Sequence, residues 1–111
     1  MQIKSLNIEL TPSIAEYVEK RLEPILEMLK GHESLELDAE VGKETMHHHK
    51  GPYFKASFHL HLGSNHFQAE EEHEDLYAAI DNARDELRRQ LVDFKERQND
   101  RRKHAARPDK A

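Results

Sequence analysis

The sequence contains no cysteine and no tryptophan, only four glycines and four prolines, and 6% aromatic residues. Without cysteine there is no disulfide, no thiol nucleophile and no thiolate metal ligand, a composition that suits a reducing compartment. No apolar run approaches the roughly 18 residues of a membrane span, and no charged-then-apolar signal opens the chain. A cytoplasmic protein without a membrane partner is therefore expected. Catalytic signatures are missing too: no nucleophile elbow, no HExxH, and no glycine-rich phosphate loop. The cluster Glu70-Glu71-Glu72 with Glu74 reads as a solvated turn and helix start, so no catalytic residue, small-molecule substrate or cofactor is assigned.

What is present is 111 residues and 13.0 kDa, one domain's worth of chain. A domain of this size hides roughly 65% of its unfolded surface, enough for a core without staples. Apolar residues make up 36% and charged residues 35%. The net charge of −5, taken over the whole chain, argues against a nonspecific nucleic-acid coat. The average hides an asymmetry: residues 1–74 carry −7, residues 75–111 carry +2, and residues 94–111 alone carry +4. Arg101-Arg102-Lys103, Arg107 and Lys110 make the C-terminal end the basic pole.

Hydropathy patterning predicts six elements. Ile3, Leu6, Ile8 and Leu10 suggest a first strand whose phase slips between Ile3 and Leu6. Thr11-Pro12 reads as a hydroxyl N-cap followed by proline at the first helical position. Ile14, Tyr17, Val18, Leu22, Ile25, Leu26 and Leu29 then mark one face of a helix over about 12–30. Pro24 is expected to kink it, and Gly31 to end it. Leu35, Leu37, Ala39 and Val41 alternate with acids. Phe54, Ala56, Phe58, Leu60 and Leu62 alternate with Lys55, Ser57, His59 and His61. Gly63-Ser64-Asn65 is a tight turn into a strand with Phe67 and Ala69 inward. Leu76, Ile80, Ala83, Leu87, Leu91 and Phe94 predict a long amphipathic helix starting near Glu74 or Asp75. The expected fold is α+β, in the order β-α-β-β-β-α: a four-stranded, mainly antiparallel sheet with two helices packed on one face. One domain over residues 1–98 and a basic, disordered tail over 99–111 are expected.

Two constellations invite a functional reading. His47, His48 and His49 share a loop, and His59, His61 and His66 share the polar face of a hairpin. Imidazoles can bind Zn²⁺ or Ni²⁺, but a structural site needs four ligands in a fixed tetrahedron, so exposed polar residues are expected and no metal is assigned. The second is a basic stripe on the last helix. At 100° per residue, Arg84, Arg88, Lys95 and Arg102 fall within about 40° of one another, with Arg89 further round. Such a row can track phosphates on RNA. The competing reading is surface pairing, through Asp81–Arg84, Asp85–Arg88 and Asp85–Arg89 at helical spacing.

Met1-Gln2-Ile3-Lys4, Asn7-Ile8-Glu9-Leu10-Thr11-Pro12 and Glu16-Tyr17-Val18-Glu19-Lys20-Arg21-Leu22 together resemble the ribosome hibernation promoting factor family. That family includes the ribosome-associated translation inhibitors, formerly described as sigma-54 modulation proteins. Ala69, the run Glu74-Asp75-Leu76-Tyr77-Ala78-Ala79-Ile80-Asp81, and then Leu87, Arg89-Gln90-Leu91 and Lys95 resemble it more specifically. The resemblance spans roughly residues 1–97. It implies the same β-α-β-β-β-α fold and binding to the small ribosomal subunit and 16S rRNA, in the channel of mRNA and tRNA. Reversible inhibition of translation in stress or stationary phase would follow, with no reaction catalysed. Lys20, Arg21, Arg89, Lys95 and Arg97 fall at basic family positions. Arg84, Arg88 and Arg102 complete the expected rRNA-binding set from this chain's own pattern. Family lysines are replaced here by Glu86 and Val92-Asp93. The length suggests a short form without the family's appended dimerisation domain, and a monomeric free protein. The alternatives are a general double-stranded RNA-binding module and a histidine-rich metal-binding interaction domain.

Overall fold

The computed structural model describes residues 1–32, 34–44 and 53–106. In chain order these form β1 (Gln2–Leu6), α1 (Pro12–Met28), β2 (Leu35–Glu44), β3 (Tyr53–Leu62), β4 (Asn65–His73) and α2 (Leu76–Ala106). The strands lie in sequence order in one sheet; β1 runs parallel to β2, and the other neighbours are antiparallel. This is the expected α+β architecture. The loop histidines His47, His48 and His49 and residues 107–111 lie outside the described residues. The boundary drawn at 98 from the sequence falls inside α2, which continues to Ala106.

β1 is shorter than the hydrophobic pattern implies. Ile3 faces the core side opposite Ala39, whereas Leu6 emerges on the other face, 51% exposed. Asn7 then takes a left-handed φ of +63°, a conformation its short polar side chain tolerates, and ends the strand. Ile8 and Leu10 pack against the core from the connecting segment. Gly42 permits the close approach of β1, because a Cβ there would sit 2.5 Å from the Leu6 carbonyl oxygen.

The helix starts follow from capping chemistry. Thr11 Oγ1 accepts the Ile14 N–H at 3.2 Å, with Pro12 in the first turn, and α1 continues through Pro24 as one element. Asp75 Oδ1 accepts the Tyr77 N–H at 3.1 Å at the start of α2. Gly63 supplies the positive φ, +60°, of the two-residue turn that joins β3 to β4.

The core lies between one sheet face and the two helices. Leu37, Ala39, Val41, Ala56, Phe58, Leu60 and Ala69 meet Val18, Leu22, Ile25 and Leu29 of α1 and Ile80, Ala83, Leu87 and Leu91 of α2. The opposite sheet face carries Glu36, Asp38, Glu40, Glu70 and Glu72 with Lys4, Lys55 and three histidines, placed there by strand alternation and register. At 31 residues α2 is about 46 Å long. Over the part whose side chains are described, 76–101, its last buried residue is Leu91 and residues 96–101 are exposed, so α2 overhangs the domain there.

Candidate nucleic-acid interface

The apolar face of α2 leaves it two flanks. One carries Tyr77, Asp81, Arg84, Arg88 and Lys95 and borders α1; the other carries Glu86, Gln90, Asp93 and Arg97 and borders β4. Contacts across both borders confirm the division. On the α1 side, Asp81 Oδ1 accepts from Arg21 Nε and from the Tyr17 hydroxyl, each at 2.8 Å. The Tyr17 and Tyr77 rings meet edge to face at 4.7 Å. The hydrogen bond to Asp81 favours the protonated phenol, and burial adds to it, so the Tyr17 pKa is raised. Further along, Lys95 Nζ donates to the Met28 carbonyl oxygen at 3.1 Å, completing the C-terminus of α1.

These contacts redistribute the charges expected from helical spacing. Asp81 is taken by Arg21 from the other helix and not by Arg84. Arg84, 18% exposed, pairs with the adjacent Asp85 at 3.2 Å, and its Nε is buried without a hydrogen-bond partner. Arg89 does not use Asp85. It grips Glu86 with two bonds of 3.0 and 2.6 Å and lies 4.0 Å from Asp93. Gln90 donates to the same Glu86 carboxylate at 3.0 Å and to the Gln68 carbonyl of β4 at 2.9 Å. The Arg89 bonds, aided by Gln90, lower the Glu86 pKa to about 2.

The expected basic set therefore divides. Arg84, Arg88 and Lys95 share the α1 flank near Arg21, with Lys95 and Arg21 committed to interhelical bonds. Lys20 and Arg88 are exposed and have no ion pair among the described residues. Arg89 is neutralised by Glu86. Arg97 stands on the β4 flank, exposed and unpaired among the described residues. Arg102 lies in α2. Spacing on one helix had no access to Asp81 as a clamp or Lys95 as a cap, because their partners lie 60 and 67 residues away.

The hairpin histidines stack instead of converging. His61 and His66 rings are 4.3 Å apart and 11° from parallel, and His59 lies 5.9 Å from His66. Among the described residues no group of three His, Cys, Asp or Glu is placed to hold a metal ion. Among them, too, no helix is long and apolar enough to cross a membrane.

The profile of the sigma 54 modulation protein / S30EA ribosomal protein family matches residues 1–99. The chain belongs to that family. A ribosome hibernation promoting factor from Azotobacter vinelandii is 30% identical over 101 residues, covering 91% of this chain and 87% of that protein. The N-terminal domain of Protein Y from Thermus thermophilus superposes with a TM-score of 0.63 at 33% identity, over 84% of this chain and 94% of that domain. A ribosomal subunit interface protein from Coxiella burnetii shares the fold, with a TM-score of 0.64 at 19% identity over 86% and 99% of the two chains. The resemblance seen in the sequence is thus borne out. The S30EA family match includes every expected basic residue from Lys20 to Arg97 and stops short of Arg101 and Arg102.

Proposed function

We propose that this protein is a ribosome hibernation factor: it occupies the mRNA and tRNA channel of the small subunit, against 16S rRNA, and reversibly blocks translation in stress or stationary phase. The names of its family and of its Azotobacter vinelandii relative support a ribosomal partner. The observation that carries the reading on this chain is that Lys20 and Arg88 are exposed cations without an internal anion among the described residues. An rRNA phosphate can recruit them without first breaking an ion pair. Arg84 lies one helical turn before Arg88, paired with Asp85. The mechanism is occupancy, with no reaction catalysed, and it operates where ribosomes are, in the cytoplasm.

Phosphate neutralisation releases counterions, so binding should weaken as salt rises. Lys20→Glu combined with Arg88→Glu leaves the packing untouched and should abolish co-sedimentation with small subunits at physiological salt. Circular dichroism checks that the fold survives. Unchanged pelleting of the folded double variant would reject this surface as the interface.

A further inference from the structure

On the β4 flank of α2, the overhanging helix and the start of β4 enclose an open groove of about 360 Å³. That is within the size range of small-molecule sites. Three kinds of group meet in it. Phe67 of β4 and Phe94 of α2, both half-buried, contribute aromatic surface, their rings edge to face at 5.2 Å and 74°. Arg97 and Arg101 stand one helical turn apart on its rim, exposed and without an ion pair among the described residues. Asp93 and the amide of Gln90 add polar atoms that can meet the edge of a base. Gln90 is held in place because its Nε2 donates to both Gln68 O and Glu86.

We infer that this groove is a subsite for one unpaired nucleotide of an RNA strand, the base against Phe67 and Phe94 and the phosphate on Arg97 and Arg101. Each part has a chemical reason. Every base has an apolar π-face that stacks on aromatic side chains whatever its sequence. Guanidinium groups bind phosphate through paired N–H donors. A carboxylate repels phosphate but accepts base N–H groups, so Asp93 orients the nucleotide with its base toward the helix body and its phosphate toward the overhang. A duplex cannot enter in this way, because its bases are stacked and their pairing edges occupied. The inference deepens the proposed rRNA-binding reading: the α1 flank takes phosphates along a folded RNA, and the β4 flank takes a strand that leaves it.

The test is fluorescence anisotropy on the full chain, with a labelled single-stranded heptaribonucleotide and a 12-base-pair RNA duplex at matched salt. The expected result is binding of the single strand at least about tenfold tighter than the duplex. Arg97→Gln with Arg101→Gln should weaken single-strand binding about tenfold and reduce its log–log salt slope by about 0.7, one phosphate contact's worth. Phe94→Leu should weaken it by a similar factor and leave the slope unchanged. The two arginines are exposed, so their variant keeps the test valid even if Phe94→Leu loosens the packing. Equal affinity for duplex and single strand, or an arginine variant that binds like wild type, overturns the subsite. Displacement of the strand by micromolar mononucleotide overturns the assignment to an RNA strand. Co-sedimentation with small subunits separates the two readings. A wild-type chain that pellets but shows no single-strand preference defeats the groove alone, and one that does not pellet defeats the ribosomal reading whatever the anisotropy shows.

Discussion

Replacing Asp81 tests whether the two helices are held by a polar clamp as well as by their apolar faces. Asp81 accepts from Arg21 Nε and the Tyr17 hydroxyl at 2.8 Å, and the side chains of Arg21 and Asp81 are 36% and 35% exposed. A hydrogen bond to a charged group contributes about 1.5–3 kcal/mol when shielded from water. Partial exposure reduces the ion pair to about 1 kcal/mol. The phenol adds a further fraction, so Asp81→Ala should cost about 1.5 kcal/mol, or roughly 6–12 °C in Tm for a domain of this size. The penalty stays moderate because Arg21 and Tyr17 can bond to water once the carboxylate is gone. Urea denaturation followed by circular dichroism measures the loss, and a double-mutant cycle with Arg21→Ala should return a coupling of about 0.5–1 kcal/mol. The same substitution should bring the Tyr17 pKa down toward its ordinary value near 10, read by tyrosinate absorbance. With the pKa raised in the folded state, this part of the stability is fully present below pH 10 and lost as pH rises through the folded value. Asp81→Asn, which keeps an acceptor but removes an anion from the flank of Arg84 and Arg88, should bind small subunits about twofold more tightly while being less stable. A loss below about 0.3 kcal/mol for Asp81→Ala would refute the clamp.

Gly42→Ala should destabilise the chain by about 1–3 kcal/mol, because its Cβ would fall 2.5 Å from the Leu6 carbonyl oxygen and push β1 off the sheet edge. Wild-type stability in urea would show that the strands have room to part. Glu86 should stay ionised until the pH nears about 2, followed by carboxyl NMR. Its lowered pKa makes its contribution present above the usual carboxylate range and lost as pH falls toward 2, and titration near 4.5 would show that Arg89 does not hold it in solution. Lys95→Met removes the donor to Met28 O and should lower stability by about 1 kcal/mol in thermal denaturation, whereas an unchanged midpoint would return Lys95 to the pool of free cations.

The fold was legible where a local rule sufficed. Thr11-Pro12 capped α1 as its chemistry requires, Gly63-Ser64 turned the hairpin, and the series from Leu76 to Leu91 buried the face its spacing implies. β1 was harder because Leu6, Ile8 and Leu10 are apolar without being strand-core residues. One is exposed on the open face, and two pack from a connecting segment. The basic stripe was legible as geometry but not as free charge. Helical spacing names possible partners within four residues, yet Asp81 and Lys95 found theirs on α1. Among the near neighbours, spacing paired Arg89 with Asp85, while side-chain geometry chose Glu86. The β4–α2 groove left a weaker trace, Phe94 followed by Arg97 and Arg101 at helical intervals, and only the hairpin's position shows that Phe67 completes it.

The net charge of −5 misleads because it sums faces that act separately. Strand alternation places Glu36, Asp38, Glu40, Glu70 and Glu72 on the open side of the sheet, away from both helices. Lys20, Arg88, Arg97 and Arg101, without an ion pair among the described residues, stand on the helices and the overhang. Even the shortest dimension of the molecule, 20 Å, exceeds twice the roughly 8 Å over which charges are screened at physiological salt. The acidic face therefore subtracts little from phosphate attraction on the helical side. It acts instead on orientation, since turning the sheet toward RNA would set carboxylates against phosphates. α1 itself carries Glu16, Glu19, Glu23 and Glu27 against Lys20 and Arg21, so with the proposed function the docking side narrows to the cations named above, and loose coating of other RNA is disfavoured. The length of α2 sets how far the selected side reaches beyond the domain.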